Sequence, residues 1–115
     1  MSAINCQHWQ LNIDPQGIAW ATLDKAGESA NSLSASVMNE LAQILDALDA
    51  NSPKGLVFRS GKVVGFIAGA DIQVFDKLDT PEKALELVAR GWHLFNRLAA
   101  LPYPTLALVR GHCLG

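Results

Sequence analysis

Residues Gly65-Phe66-Ile67-Ala68-Gly69-Ala70-Asp71-Ile72 run from an apolar strand end through three small residues into what reads as the first turn of a helix. Ala68, Gly69 and Ala70 carry almost no side chain, so a ligand can approach the backbone closely. A helix opened by Asp71 would aim its unpaired N–H groups and the positive end of its dipole at that ligand. Backbone donors fixed in this way suit a carbonyl oxygen, such as that of a thioester, on its way to becoming an enolate. The same eight residues also fit a tight strand-to-helix turn set by packing alone. Asp71 by itself is explained by the dipole, which favours a carboxylate in a first helical turn by about 0.3–1 kcal/mol.

The other residues with chemical potential are ordinary one by one. His8, His93 and His112 share no metal-ligand spacing and receive no catalytic role. Asp46 and Asp49 fall on the polar face of an amphipathic helix, where solvation accounts for them, and they are not a catalytic pair. Trp9, Trp20 and Trp92 lie in apolar patterns that assign them to core packing. Cys6 and Cys113 stand at opposite ends of the chain, which supports neither a disulfide framework nor a metal site and leaves two free thiols.

The elements that must position the small-residue turn are legible from periodicity. Trp9-Gln10-Leu11-Asn12-Ile13 and Ile18-Ala19-Trp20-Ala21-Thr22-Leu23 alternate apolar and polar residues around the turn chemistry of Asp14-Pro15-Gln16-Gly17, which predicts a β-hairpin. After a polar loop over residues 24–31, Ser34 can cap a helix with Val37, Leu41, Ile44, Leu45 and Leu48 on one face, stopped by Asn51-Ser52-Pro53. Residues 54–60 then read as a covered strand, and residues 71–77 as a short helix. Thr80 and Pro81 open a second long helix whose face is Leu85, Val88, Trp92, Phe95 and Leu98, and which ends at Leu101-Pro102. Residues 105–109 read as another buried strand, so the expected order is ββαβααβ.

Composition bounds the class. The 115 residues suffice for one domain at most. A hydrophobic fraction of 50% beside only 17% charged residues is rich for so short a chain, which assigns part of the apolar surface to a partner or to further sequence. A net charge of −2 with scattered Lys and Arg argues against nucleic acid. No run reaches the roughly eighteen apolar residues of a membrane span, and the first residues lack the blocks of a signal peptide, which makes the cytoplasm the expected location.

Taken together, the hairpin, Glu28-Ser29-Ala30-Asn31-Ser32-Leu33, the first long helix, Gly55-Leu56-Val57-Phe58, Phe66-Ile67-Ala68-Gly69-Ala70-Asp71-Ile72, the second long helix, Pro104-Thr105-Leu106-Ala107-Leu108-Val109 and Arg110-Gly111-His112-Cys113-Leu114-Gly115 resemble the enoyl-CoA hydratase/isomerase (crotonase) superfamily. Asn-Ser-Leu, Phe-x-Ala-Gly-Ala-Asp-Ile and Gly-x-Cys-Leu-Gly are especially similar to the N-terminal domain of multifunctional fatty-acid oxidation α subunits, in which a hydratase is joined to a 3-hydroxyacyl-CoA dehydrogenase.

The resemblance implies an α/β chain, the N-terminal half of a ClpP/crotonase-like fold built from ββα units, with residues 1–115 as an incomplete portion of a single hydratase domain. It implies a lyase that hydrates a 2-enoyl-CoA to a 3-hydroxyacyl-CoA in fatty acid β-oxidation. The backbone N–H of Ala70 would be one of two donors to the thioester oxygen; Ala68, Asp71 and Ile72 would line the coenzyme A path, and Ser29 and Ala30 would flank it. Glu28 stands where the family often carries a basic residue. The second donor belongs to a glycine run that would begin at Gly115, and the catalytic carboxylates come after it, so these 115 residues alone are expected to be inactive. No cofactor is implied for hydration and no metal; NAD enters only if a dehydrogenase follows. The implied partners are an acyl-CoA substrate and either a homotrimer or a fatty-acid oxidation complex. Two alternatives remain: another acyl-CoA chemistry on the same scaffold, namely isomerisation, thioester hydrolysis or decarboxylation, and a noncatalytic assembly module.

Overall fold

The computed structural model describes residues 3–70 and 79–114. Two antiparallel pairings begin the sheet. β1 (Ala3–Asn5) pairs with β2 (Trp9–Ile13), and β2 pairs with β3 (Ile18–Leu23) in the register Trp9↔Leu23 to Ile13↔Ala19. The hairpin turn is held by Asp14: its Oδ1 accepts the N–H groups of Gln16 and Ile18 at 2.9 and 3.0 Å, and its Oδ2 accepts the Trp20 indole N–H at 3.0 Å. The Trp20 bond, then that from Ile18, holds the Asp14 carboxyl below its ordinary value. Gly17 supplies the positive φ of 86° that closes the turn.

From β3 the chain crosses through α1 (Ala35–Asn51) to β4 (Gly55–Ser60), which lies parallel to β3 with Ala19 opposite Leu56. Ser34 caps α1 by accepting the Val37 N–H, and the helix ends where Ser52 turns left-handed at φ 46° ahead of Pro53. Its buried stripe Val37, Leu41, Ile44, Leu45 and Leu48 packs on the alternate residues Trp9, Leu11, Ala19, Ala21 and Leu23 of the hairpin and on Leu56. Trp9 is the keystone of this layer. Only 4% of it is exposed, its indole N–H bonds Val37 O at 3.0 Å, and its ring meets Phe58 edge-on at 5.9 Å.

Beyond β4 comes β5 (Gly65–Ile67), then α2 (Pro81–Ala99), β6 (Thr105–Ala107) and β7 (His112–Cys113). Thr80 caps α2 through the Lys83 N–H, with Pro81 in its first turn. β6 pairs parallel to β4, Val57 opposite Leu106, completing a five-stranded sheet of order β1-β2-β3-β4-β6; β5 and β7 form a separate parallel pair. That pair is tight, since a Cβ on Gly65 would collide with the His112 backbone. α2 lies against α1, joined by Arg97 to Asp46 and Asp49 at 3.0 and 3.1 Å and by Arg90 to Asn39 at 2.8 Å. Among the described residues no helix is long and apolar enough to cross a membrane.

The structure corrects the sequence reading in its C-terminal part. The expected face of α2 is largely open: Leu85, Val88, Trp92 and Phe95 are exposed, and Leu94 is the residue this helix buries. Trp92, at 63% exposure, is no core residue; Trp20 is only half-buried, with its indole N–H on Asp14 and the Arg59 guanidinium over its ring; and residues 105–109, of which Thr105–Ala107 form the strand, are exposed rather than buried. Helical periodicity shows that an apolar face exists but not that its partner lies within the same 115 residues. The N-terminal β1, too short and polar to alternate convincingly, went unforeseen, as did β7, whereas the strand end read at Gly65-Phe66-Ile67 is β5. The short helix expected at residues 71–77 lies outside the described residues. Trp9 and Trp92 should therefore differ sharply in chemical denaturation: Trp9→Ala is expected to cost about 3–5 kcal/mol, and Trp92→Ala less than about 1 kcal/mol. Equal losses would contradict this division of the molecule.

Candidate functional site

The loop after β3, residues 24–32, is drawn onto the sheet by two basic and one amide side chain. Lys62 reaches over it, with Nζ 2.6 Å from Asp24 Oδ1, 2.7 Å from Lys25 O and 2.6 Å from Glu28 O. Lys25 is 6% exposed and holds Glu28 Oε2 at 2.6 Å and Ser32 Oγ at 2.8 Å. Asn31, 2% exposed, places Nδ2 within 2.9–3.0 Å of Leu23 O, Ser60 Oγ and Phe66 O, while its Oδ1 accepts the Lys25 N–H at 2.9 Å. The amide can sit only this way round, because the two carbonyls facing Nδ2 cannot donate and the N–H facing Oδ1 cannot accept. The ends of β3, β4 and β5 are thereby tied to one buried side chain.

The main chain of the same loop then aligns the small-residue turn. Ala68 N–H donates to Asn31 O at 2.8 Å, and Leu33 N–H donates to Gly69 O at 2.9 Å. Two residues, Ala68 and Gly69, thus stand opposite Ser32, a bulge that Gly69 absorbs at φ 119°. The bond to Gly69 O has a consequence one atom further on. In a trans peptide the C=O and the following N–H point in opposite directions. With the Gly69 carbonyl turned toward Leu33, the Ala70 N–H is turned away from it, and among the described residues no group accepts that N–H. Leu114 lies beside this turn: its N–H donates to Ile67 O at 3.0 Å, and its carbonyl oxygen would lie 3.4 Å from a Cβ on Gly69. The turn and the chain end at Leu114 therefore run side by side.

The turn borders two unlike environments, the first through Ala68 and the second through Ala70. On one side Gly27, Glu28, Ser29, Ala30, Asn31, Ser32 and Ala68 line an open hollow of about 410 Å³. On the other, Ala70 itself joins Leu33, Met38, Leu87, Leu94 and Phe95 in an apolar cleft of about 160 Å³ between α1 and α2. A second apolar cavity of about 200 Å³, lined by Leu33, Met38 and Phe95 together with Trp9, Phe58 and Ile67, continues inward. Of the residues singled out from the sequence, Ser29, Ala30 and Ala68 share the hollow and Ala70 lies at the cleft, while Asp71 and Ile72 lie outside the described residues. Among the described residues that line the apolar cleft, none carries a carboxylate.

Glu28 and Lys25 neutralise each other at the rim of the hollow, and Lys62 is committed to the loop backbone. Sequence reasoning missed what Lys25, Lys62 and Asn31 do. A buried lysine in a polar loop leaves no periodic signal, and Asn31 entered only as one letter of a motif. The groups whose surroundings shift their titration, Cys6 and Tyr103 upward through burial and Asp14 downward, line none of these cavities.

The profile of the enoyl-CoA hydratase/isomerase family matches residues 14–115. The chain belongs to this family. The fatty acid oxidation complex subunit alpha of Shewanella amazonensis is 44% identical over 108 residues, which make up 93% of this chain and 15% of that protein. The subunit alpha of Vibrio parahaemolyticus is 38% identical over the same length and shares. An enoyl-CoA hydratase from Shewanella pealeana superposes with a TM-score of 0.81 at 24% identity, over 90% of this chain and 39% of that one. The fold is that of the crotonases, of which these residues form the N-terminal part. The chain thus spans about 15% of the length of the curated relatives it matches.

The bulge offers a direct check on the geometry. Gly69→Ala would force a Cβ into a left-handed φ, and this is expected to cost about 1–3 kcal/mol of stability in urea denaturation while leaving the far-ultraviolet circular dichroism of the sheet intact. A variant as stable as the parent protein would show that the turn does not need φ 119°.

Proposed function

We propose that these residues form the coenzyme A loop and one oxyanion donor of a 2-enoyl-CoA hydratase acting in fatty acid β-oxidation, the chain being the N-terminal portion of a single hydratase domain. The observation that carries this reading is an Ala70 N–H that no group among the described residues accepts, in a turn whose Ala68 borders a polar hollow and whose Ala70 lines an apolar cleft. An acyl-CoA has this polarity, with a polar, phosphorylated carrier at one end, an apolar chain at the other and a thioester carbonyl at the junction. Ser29, Ala30 and Ala68 would flank the carrier, with Asp71 and Ile72 further along its path, while Leu33, Met38 and Phe95 receive the chain.

In hydration, water oxygen bonds to C3 of the enoyl group as the C2–C3 π electrons move toward the thioester, whose oxygen takes up negative charge. A proton delivered to C2 then restores the carbonyl. The Ala70 N–H stabilises the charge at its peak, and because its peptide is already fixed by Leu33, no reorganisation is needed at that moment. The general acid and base, and a second donor next to Leu114, come from residues other than those described. Hydration of this kind needs only the coenzyme A thioester, whereas NAD would serve a dehydrogenase joined to the hydratase. The relatives' names favour a fatty acid oxidation complex as the setting over an independent trimer, and we place that setting in the cytoplasm as part of the same proposal.

In an enzyme that completes the crotonase domain around these residues, Ala70→Pro removes the donor and is expected to lower kcat for a 2-enoyl-CoA by about 10²–10³. Ala70→Gly keeps the N–H and most of the activity. A proline variant that is folded by circular dichroism and retains near-parental kcat would remove Ala70 from the site.

A further inference from the structure

We propose that Asn31 is a positioning residue that couples occupancy of the coenzyme A loop to the aim of the oxyanion donor; this rests on the function proposed above. Asn31 belongs to both halves of the site. Through its main chain it follows Ser29 and Ala30 directly and forms part of the same hollow. Through its carbonyl it holds the Ala68 N–H, and two residues later Leu33 holds the Gly69 carbonyl that sets the direction of the Ala70 N–H. Its side chain anchors this segment from beneath, with Nδ2 facing Leu23 O, Ser60 Oγ and Phe66 O at 2.9–3.0 Å.

Among the described residues, Asn31 O and Leu33 N–H are the main-chain groups that hold the turn from this side. The segment from Asn31 to Leu33 meets the turn through the Ala68 and Gly69 bonds, and a shift of Asn31 moves both together. The donor is itself a main-chain group with no rotamer of its own, so its aim depends wholly on what holds the peptide on either side. Burial at 2% removes water as a replacement partner for the amide, so a side chain that cannot donate takes this donor from Phe66 O and Ser60 Oγ, while Leu23 O keeps the Gly61 N–H at 2.9 Å. A ligand that draws Ser29 and Ala30 inward therefore pulls on Asn31, and the pull is transmitted to the Gly69–Ala70 peptide. The loop senses the carrier end of the ligand, and the donor answers at the reacting end.

Amide hydrogen exchange followed by mass spectrometry on the 115-residue chain, with coenzyme A alone as probe, tests this in two arms. Asn31→Asp keeps the acceptor for the Lys25 N–H but loses every donor. Without ligand, the Leu33 and Ala68 amides of the variant are expected to exchange at least tenfold faster than in the parent, with the exchange of β2, β3 and α1 unchanged; unchanged protection at Leu33 and Ala68 overturns the proposal. With coenzyme A, protection in the parent is expected to rise together over residues 29–33 and 66–70, and in the variant over the loop only. A parent in which the loop gains protection while residues 66–70 do not also overturns it. Absence of any coenzyme A effect on residues 29–33 in the parent would instead defeat the function proposed for the loop, and the ligand-free arm would still decide the role of Asn31. If Asn31→Asp fails to fold, Ser60→Ala removes one of its three acceptors and is expected to speed exchange at Ala68 and Leu33 by about threefold; no change there overturns the proposal equally.

Discussion

The hydrogen bond from Leu33 N–H to Gly69 O, 2.9 Å long, is the contact on which this site turns. A peptide unit is rigid and trans, so fixing one carbonyl fixes the direction of the next N–H. If the Gly69–Ala70 peptide flipped, it would present a carbonyl oxygen where the proposed oxyanion site requires a donor. The rest of the fold can be understood as the means of holding that peptide. The Ser34 cap starts α1 immediately after Leu33 and fixes where the segment leaves the sheet. The bulge at Gly69 supplies the extra residue that brings the Gly69 carbonyl, rather than that of Ala68, to the Leu33 N–H, and the segment after β7 closes the far flank through Leu114.

The molecule divides by packing density. The hairpin, β4 and α1 enclose a core whose members are nearly all below 5% exposure, while α2 and β6 turn large apolar side chains outward. Such an apolar surface on a chain that spans 39% of a structure sharing its fold is what a partly covered domain displays. The functional elements sit at the boundary. The loop and the small-residue turn are anchored in the dense part by Asn31, and the apolar cleft opens toward the sparse part through Leu87, Leu94 and Phe95. The function proposed above would use both parts, the dense one as a rigid support for the turn and the sparse one as a wall for an apolar chain.

What the sequence made legible follows local rules. Ser34 and Thr80 are the helix caps, Pro81 lies in the first turn of α2, Asp14 to Gly17 makes the hairpin turn, and β4 and β6 share one sheet, because capping, turn chemistry and strand periodicity act over a few residues. The small-residue turn was also readable, as small residues that follow a strand end, and its role toward a ligand belongs to the function proposed above. The burial of Trp92 and of residues 105–109 was misjudged, because the partner of an apolar face is a tertiary fact that periodicity does not encode. The roles of Asn31 and Lys62 were hidden for a related reason: their partners Leu23, Phe66, Asp24 and Glu28 are contacted through main-chain or loop atoms with no sequence pattern. An asparagine among small residues between a strand and a helix cap was the only available signal.

The central claim is that a fixed Ala70 N–H polarises a thioester carbonyl, and the carbonyl's own vibration reports it most directly. Infrared difference spectroscopy of butyryl-CoA carrying ¹³C at the thioester carbonyl, bound to the protein, isolates that stretch from the amide background. The account predicts that the band moves to lower wavenumber on binding, because a hydrogen bond weakens the C=O bond. A band at its solution frequency while the ligand is demonstrably bound would contradict it.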